Sequence, residues 1–502
     1  MNIRKLLTRL VSLALIAVFL PTVAMADTWY LEDGSITVSA TENGQNVSQG
    51  GVTKADSAPV IRNRDSSAST TNNVTIRADA GATANVTLED TNIDTTGGAG
   101  PKGAGDAAVR TEGGGNVNLN VELDNTLQSG NTHAGVEKGN GGNLTIGSES
   151  GSGQLVAVGG HRGAGIGSGN GYETGIHDVG NITITGGDIF AIGNGGGAGI
   201  GGGWESDATD ITITGGNVTA EARQEGPQHV GGAGIGGGGY QNKYYGNGTN
   251  IKITGGHVTA IGGNCSAGIG GSMYSDGENI SISDAEVIAV GGTGSAGIGG
   301  GNGGGEGKNI SISGSANVKA AGGEGENQIG KGAAIGSGGT NSYQGGPVID
   351  AAEGKADTSG LSPDGSVERF TPGTTFDIPQ PKPRSSFLTA SAEPQPVKAA
   401  LYRVIDETGK ALPVEAKQED GVLLLTAQAD IAILEGAISG LQTLQSRGID
   451  TITFTNGTIS VSFSLAEVIA KGASSDVYRL TLSGGEANFT LADADITALL
   501  GK

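Results

Sequence analysis

Between Asn85 and Gly346 the chain carries eight aromatic side chains, and seven fall in one class of loop: Tyr172, Trp204, Tyr240, Tyr244, Tyr245, Tyr274 and Tyr343. The eighth is Phe190. Four of the seven, Tyr172, Trp204, Tyr240 and Tyr274, follow the isoleucine of a recurring Ala-Gly-Ile by four to six residues. Rings held in line on a rigid surface can seat sugar rings through apolar area and CH–π contact. The same residues could equally be rings that each cover the backbone of their own loop, and the spacing leaves both readings open.

Cleavage of a polysaccharide would ask for more: clustered carboxylates, often around Ca²⁺, with a base beside the scissile bond. The loops offer Glu173, Glu205, Asp207, Glu221, Glu225, Asp276 and Glu278 with Arg162, Arg223 and Lys243, and these read as scattered, without a repeating register. The stretch GGAGPKGAGD near Gly97 lacks the nine-residue period of calcium-binding glycine repeats. No catalytic residue and no cofactor is therefore expected, and Ca²⁺ has no motif. Cys265 is the only cysteine, which forbids an intramolecular disulfide, and its place before an Ala-Gly-Ile reads as buried filler. Hydroxyls on the outward positions of the first strand (Thr183, Thr212, Ser281, Ser311) are interrupted by Lys252, so no flat threonine array results.

What positions the loops is a repeat. Apolar pairs two residues apart return eight times, as in Val86/Leu88, Leu144/Ile146, Ile182/Ile184, Ile211/Ile213, Ile251/Ile253, Ile280/Ile282 and Ile310/Ile312. A second pair is best seen as Ile189/Ala191, Val218/Ala220, Val258/Ala260, Val287/Ala289 and Val318/Ala320, and a third runs from Ala107/Val109 through Ala233/Ile235 to Ala333/Ile335. Residues i and i+2 share one face of a strand. Each repeat thus supplies three short strands with one buried face apiece, which is one rung of a parallel solenoid. The rungs begin at Asn85, Asn116, Asn143, Asn181, Asp210, Asn250, Asn279 and Asn309, and a stacked amide column there can satisfy backbone groups at a corner. The predicted fold class is all-β, a right-handed parallel β-helix with three strands per rung and a small C-terminal α+β domain.

The remainder divides by composition. Residues 1–26 have a basic start, an apolar run and Ala24-Met25-Ala26, as a signal peptide does, with cleavage expected before Asp27. Removing Arg4, Lys5 and Arg9 takes the net charge from −22 to −25. So acidic a chain is not expected to seek nucleic acid or anionic lipid. No later stretch is apolar enough to span a membrane, and neither a lipid-bearing cysteine nor a wall-sorting motif is expected. Residues 27–84, with Trp29 and Tyr30, read as capping strands, 85–350 as the repeats, and 351–397, with seven of the thirteen prolines between Leu361 and Val397, as a semi-extended linker. Residues 398–502 have ordinary composition. They contain five strand-like stretches, a helix after Ser439 stopped at Gly448, and a helix after Ser464 with Glu467 completing a capping box.

The NITITGG…AGIGGG rungs, preceded by NVTLED, LDNTLQSG and HAGVEKGNGGNLTIG, resemble the glycine-rich β-helical surface proteins exported by Gram-positive bacteria. They are also similar to a non-catalytic carbohydrate-binding family with a pectate-lyase-like fold. The resemblance covers roughly residues 30–346 and implies the fold, while its calcium and sugar positions find no matching motif here. The expected function is an exported, non-enzymatic glycan-binding protein. A structural or adhesive surface protein recognising other proteins is the alternative, and an extracellular polysaccharide lyase the third reading.

Overall fold

The computed structural model describes residues 27–97, 105–171, 178–223, 230–239, 246–326, 328–342 and 346–382, and most of 402–501. It divides into two units, 1–387 and 388–502. The first is a right-handed parallel β-helix. Among the described residues its strands form three long sheets of ten, nine and twelve strands, one for each strand of the rung. In the first sheet Ile146, Ile184, Ile213, Ile253, Ile282 and Ile312 stand directly over one another. All are buried, because the i, i+2 spacing turns each of them inward and leaves Lys252 between them outside. In the second sheet Ala157, Ala191, Ala220, Ala260, Ala289 and Ala320 stack in the same way.

The third pair departs from expectation. From Ile166 onward the third strand shrinks to two residues, Ile-Gly, and only its isoleucine joins the core between the sheets. The alanine two positions earlier is just as buried but lies outside that core. Its N–H donates to the carbonyl four residues on, as in Ala198 to Gly202, Ala233 to Gly237 and Ala267 to Gly271. The chain therefore folds back on itself as a tight arch rather than running on as a strand. Glycine makes this possible: an added Cβ at Gly234 would sit 2.5 Å from the Ile261 nitrogen of the next rung.

The first rungs have no arch. There the third sheet is broad, with strands Val74–Ala78, Val109–Gly113 and Val136–Lys138. At the changeover Glu137 stands where later rungs have glycine, and its Oε2 accepts the Ala134 N–H at 3.2 Å in place of the arch carbonyl. Arg110 donates to Oε1 at 2.9 Å, and His133 Nδ1 lies 2.7 Å from Oε2. Burial pushes this carboxyl up, but His133 and Arg110 more than reverse it and hold it below the ordinary value of 4.5. A group with a depressed folded pKa stabilises fully above its unfolded value and loses that contribution as pH falls through the folded one. Glu137→Gln should therefore cost roughly 1–3 kcal/mol at neutral pH. The gap from wild type should narrow as the pH drops below 4.5, measured by denaturant unfolding against pH.

The rung-start column adopts left-handed backbone, φ +51° to +56° at Asn181, Asp210, Asn250, Asn279 and Asn309, which Asn and Asp tolerate best among residues with a side chain. Here the amides bond chiefly to one another: Asn250 donates to Asp210 at 3.1 Å, Asn279 to Asn250 at 3.2 Å and Asn309 to Asn279 at 3.0 Å. Two boundaries move. Residues 27–84 are not only a cap, since Thr28–Tyr30 pairs with Val60–Arg62, which pairs with Thr83–Glu89, so rungs begin here; a three-stranded antiparallel meander from Ile36 to Ala55 closes the end. The segment 351–373 is not a linker. Ser366–Phe370 pairs with Asn317–Ala321 as the last strand of the second sheet, and the Glu353 carboxylate caps the Ala334 N–H at 2.7 Å. Alternation in SVERF is too short and too polar to stand out beside the prolines.

The second unit holds a five-stranded and a four-stranded sheet. Helices Ile438–Ser446 and Leu465–Ile469 pack on its own core around Phe454, Phe463, Tyr478 and Phe489. The second helix follows Ser464 as expected, but the Ser464 side chain makes no capping bond. Strands Val414–Glu419 and Ile431–Ala437 carry no clean alternation, the first being charged and the second an apolar run broken by Glu435 and Gly436.

Candidate binding cleft

Of the seven loop aromatics, Tyr172, Tyr240, Tyr244, Tyr245 and Tyr343 lie outside the described residues, as do Glu173, Glu225 and Lys243. The two that are described do not form a platform. Trp204 is only 5% exposed: the Arg162 guanidinium lies 4.1 Å from its ring centroid, and Gly196 packs so close that a Cβ there would be 2.5 Å from Trp204 Cε3. Tyr274 is half-buried beside Val230, Cys265, Met273 and Ile329, with its hydroxyl on Asn341 Oδ1 at 3.0 Å. Nor do the two share a register. Ile200, Ile235 and Ile269 are stacked, and Trp204 is four residues beyond its isoleucine while Tyr274 is five beyond. Both rings cover glycine backbone, but of a different loop from their own: Trp204 at Gly196, ahead of its isoleucine, and Tyr274 at Gly303 of the next rung. Arg162 is engaged by Trp204, and Arg223 pairs with Glu221 at 2.9 Å. Burial pushes the Cys265 thiol up to about 12, which disfavours the thiolate form.

Two of the loop acids, Asp207 and Asp276, do share a register, with Asn247 and Glu306. Asp207, Asn247, Asp276 and Glu306 each stand three residues before a rung-start residue. Asp207 Oδ1 accepts the Asn247 N–H at 2.6 Å, Asn247 Oδ1 the Asp276 N–H at 3.0 Å, and Asp276 Oδ1 the Glu306 N–H at 2.8 Å. Counting back from the Asn column would have found them. Their work is to close backbone donors at a corner, and among the described residues no group of three or more His, Cys, Asp or Glu could hold a metal ion.

A cleft lies elsewhere, on the outward face of the second sheet. In Asp188–Asn194, Asn217–Arg223 and His257–Ile261 the residues between the inward ones form two rows in register, Asp188–Asn217–His257 and Phe190–Thr219–Thr259. Such a face should be open to water, yet Phe190 is 7% exposed and Thr219 and Thr259 are 6%. The cover is the chain after the last rung. Phe376 meets Phe370 edge-on at 5.0 Å, and residues 379–382 then lie over the sheet as a strap. Gln154 fixes its far end, accepting the Lys382 N–H at 2.8 Å and donating to the Lys382 carbonyl at 3.2 Å. The Lys382 ammonium reaches Asp188 Oδ2 at 2.6 Å, while the Asn217 amide donates to Asp188 Oδ1 at 2.7 Å. Burial pushes the Asp188 carboxyl up, but these two donors outweigh it and hold it below the usual range.

Between strap and sheet remains a space of about 240 Å³, lined by Phe190, Thr219 and Thr259 on one side and Pro379 and Gln380 on the other, with Asp188, Asn217 and His257 along its edge. An apolar floor with a few fixed polar groups is the general make-up of a small-molecule site. At this size it holds one ring rather than an oligomer. Phe190, the aromatic that stood apart from the loop class, lines this space. Nothing in its own neighbourhood of sequence announces this, because the residues that complete the cleft come from about 190 positions later.

The model of the β-helix repeat family matches residues 182–204, 211–239 and 251–273, three consecutive rungs that include all three cleft strands at least in part. No curated protein and no solved structure matches the chain.

Proposed function

We propose that this is an exported, non-catalytic β-solenoid protein that binds glycans, with a sugar ring seated in the strapped cleft over Phe190. The observation that carries the reading is the pairing of an aromatic floor with an in-line row of hydrogen-bonding groups, Asp188, Asn217 and His257, in a space suited to one ring. Export is supported by the composition of residues 1–26.

A glycan array on the mature protein, followed by calorimetry with the best ligand, tests this. Phe190→Ala combined with Asn217→Ala should weaken binding on the order of tenfold, the sum of one aromatic contact and one hydrogen bond. Unchanged affinity in a folded double variant would remove the cleft from the reading. Reducing-sugar and unsaturated-product assays run alongside should stay blank, and a released product would restore the lyase. Binding lost only on removal of 398–502 would shift recognition to the second unit.

A further inference from the structure

The strap is chemically specific at one point. Asp188 has a side chain only 14% exposed, one oxygen held by the Asn217 amide and the other by an ammonium, and that ammonium comes from a lysine whose own side chain is 69% exposed. A carboxylate so placed is costly to leave unpaired, whereas the exposed lysine loses little on letting go. Lys382 thus occupies a cation position at the rim of a ring-sized space. Its backbone is held separately by Gln154, so the ammonium can leave without the strap detaching.

A neutral sugar could displace Lys382 only by leaving Asp188 without its counter-charge. A sugar bearing an amine replaces it ion for ion, and an acidic protein gathers such cations from solution. Resting on the glycan reading above, we infer that the cleft selects glycans with free amino groups, that is, amino-sugar polymers without their N-acetyl groups. Lys382 is then the built-in competitor that such a ligand displaces from Asp188.

The test compares oligomers of glucosamine, N-acetylglucosamine and glucose of equal length, by calorimetry at mildly acidic pH where the sugar amines are charged. Wild type should prefer the glucosamine oligomer. Lys382→Ala should bind that oligomer about two- to five-fold more tightly, the span of a partly exposed ion pair, with the neutral oligomers little changed. Asp188→Asn should erase the preference for the amine, and Asp188→Glu, which keeps the charge, should retain it and so show that the loss is not one of folding. Equal binding of amine and N-acetyl forms in wild type and Lys382→Ala, or an amine preference that survives in Asp188→Asn, overturns the inference while leaving glycan binding in place. Absence of any glycan binding sinks both.

Discussion

Ile251→Asp should unfold several rungs at once and lower stability by at least about 5 kcal/mol, the sum of a lost core side chain and a buried, unpaired charge. Ile251 is fully buried in the middle of the first sheet, directly over Ile211. Its neighbour Lys252 is exposed, sits between Thr212 and Ser281, and points the other way. Lys252→Asp is accordingly expected to fall within about 0.5 kcal/mol of wild type. The pair of variants tests the register as well as the burial, because a one-residue slip exchanges the two faces. Thermal unfolding followed by circular dichroism should show a midpoint lowered by roughly 10–20 °C for the first and almost none for the second. Equal effects would deny the alternation on which the whole solenoid rests.

That alternation is why so much of the first unit was legible. A strand with one dry face must repeat its apolar residues at i and i+2, and eight copies in phase leave few other solutions. The first and second sheets follow directly. The arches do not, since Ala-Gly-Ile-Gly carries the same i, i+2 signature as a strand, and only the close approach of neighbouring backbones shows that the alanine lies outside the core. Local pattern also marks the corner column at Asn250 and Asn279, while the companion column at Asp207, Asn247 and Asp276 mixes three residue types once Glu306 is included, so Asp207 and Asp276 do not stand out from the other loop acids. Burial of Trp204 depends on Arg162, which is 42 residues earlier. The cleft is the extreme case: it needs Lys382 beside Asp188, 194 positions away, and beside Gln154, 228 away. Contacts of that separation leave no periodic trace, so a proline-rich segment read from its composition alone looked like a tether.

Gly236→Ala should be nearly as damaging as a charge in the core, for a different reason. Gly236 follows Ile235 in an arch and has φ +138°, and a Cβ there would stand 2.0 Å from the Gly270 carbonyl oxygen of the next rung. That oxygen accepts the Gly237 N–H at 3.1 Å, so it cannot swing away without opening the ladder. The same contact recurs at Gly201, Gly270 and Gly299, where the Cβ would lie 2.0–2.1 Å from the carbonyl oxygen of the next rung. Two costs are therefore combined, a backbone conformation that side chains avoid and a clash with fixed backbone, and a control separates them. Gly34 has a similar φ of +123° but nothing within 4 Å of its Cβ position. Gly34→Ala should cost roughly 1–3 kcal/mol, the conformational part alone. Gly236→Ala should exceed it by at least about 2 kcal/mol, as overpacking against unyielding atoms does. Equal losses in chemical denaturation would mean that neighbouring arches can part freely. The glycines would then serve the turn of the chain and not the close stacking of one rung upon the next.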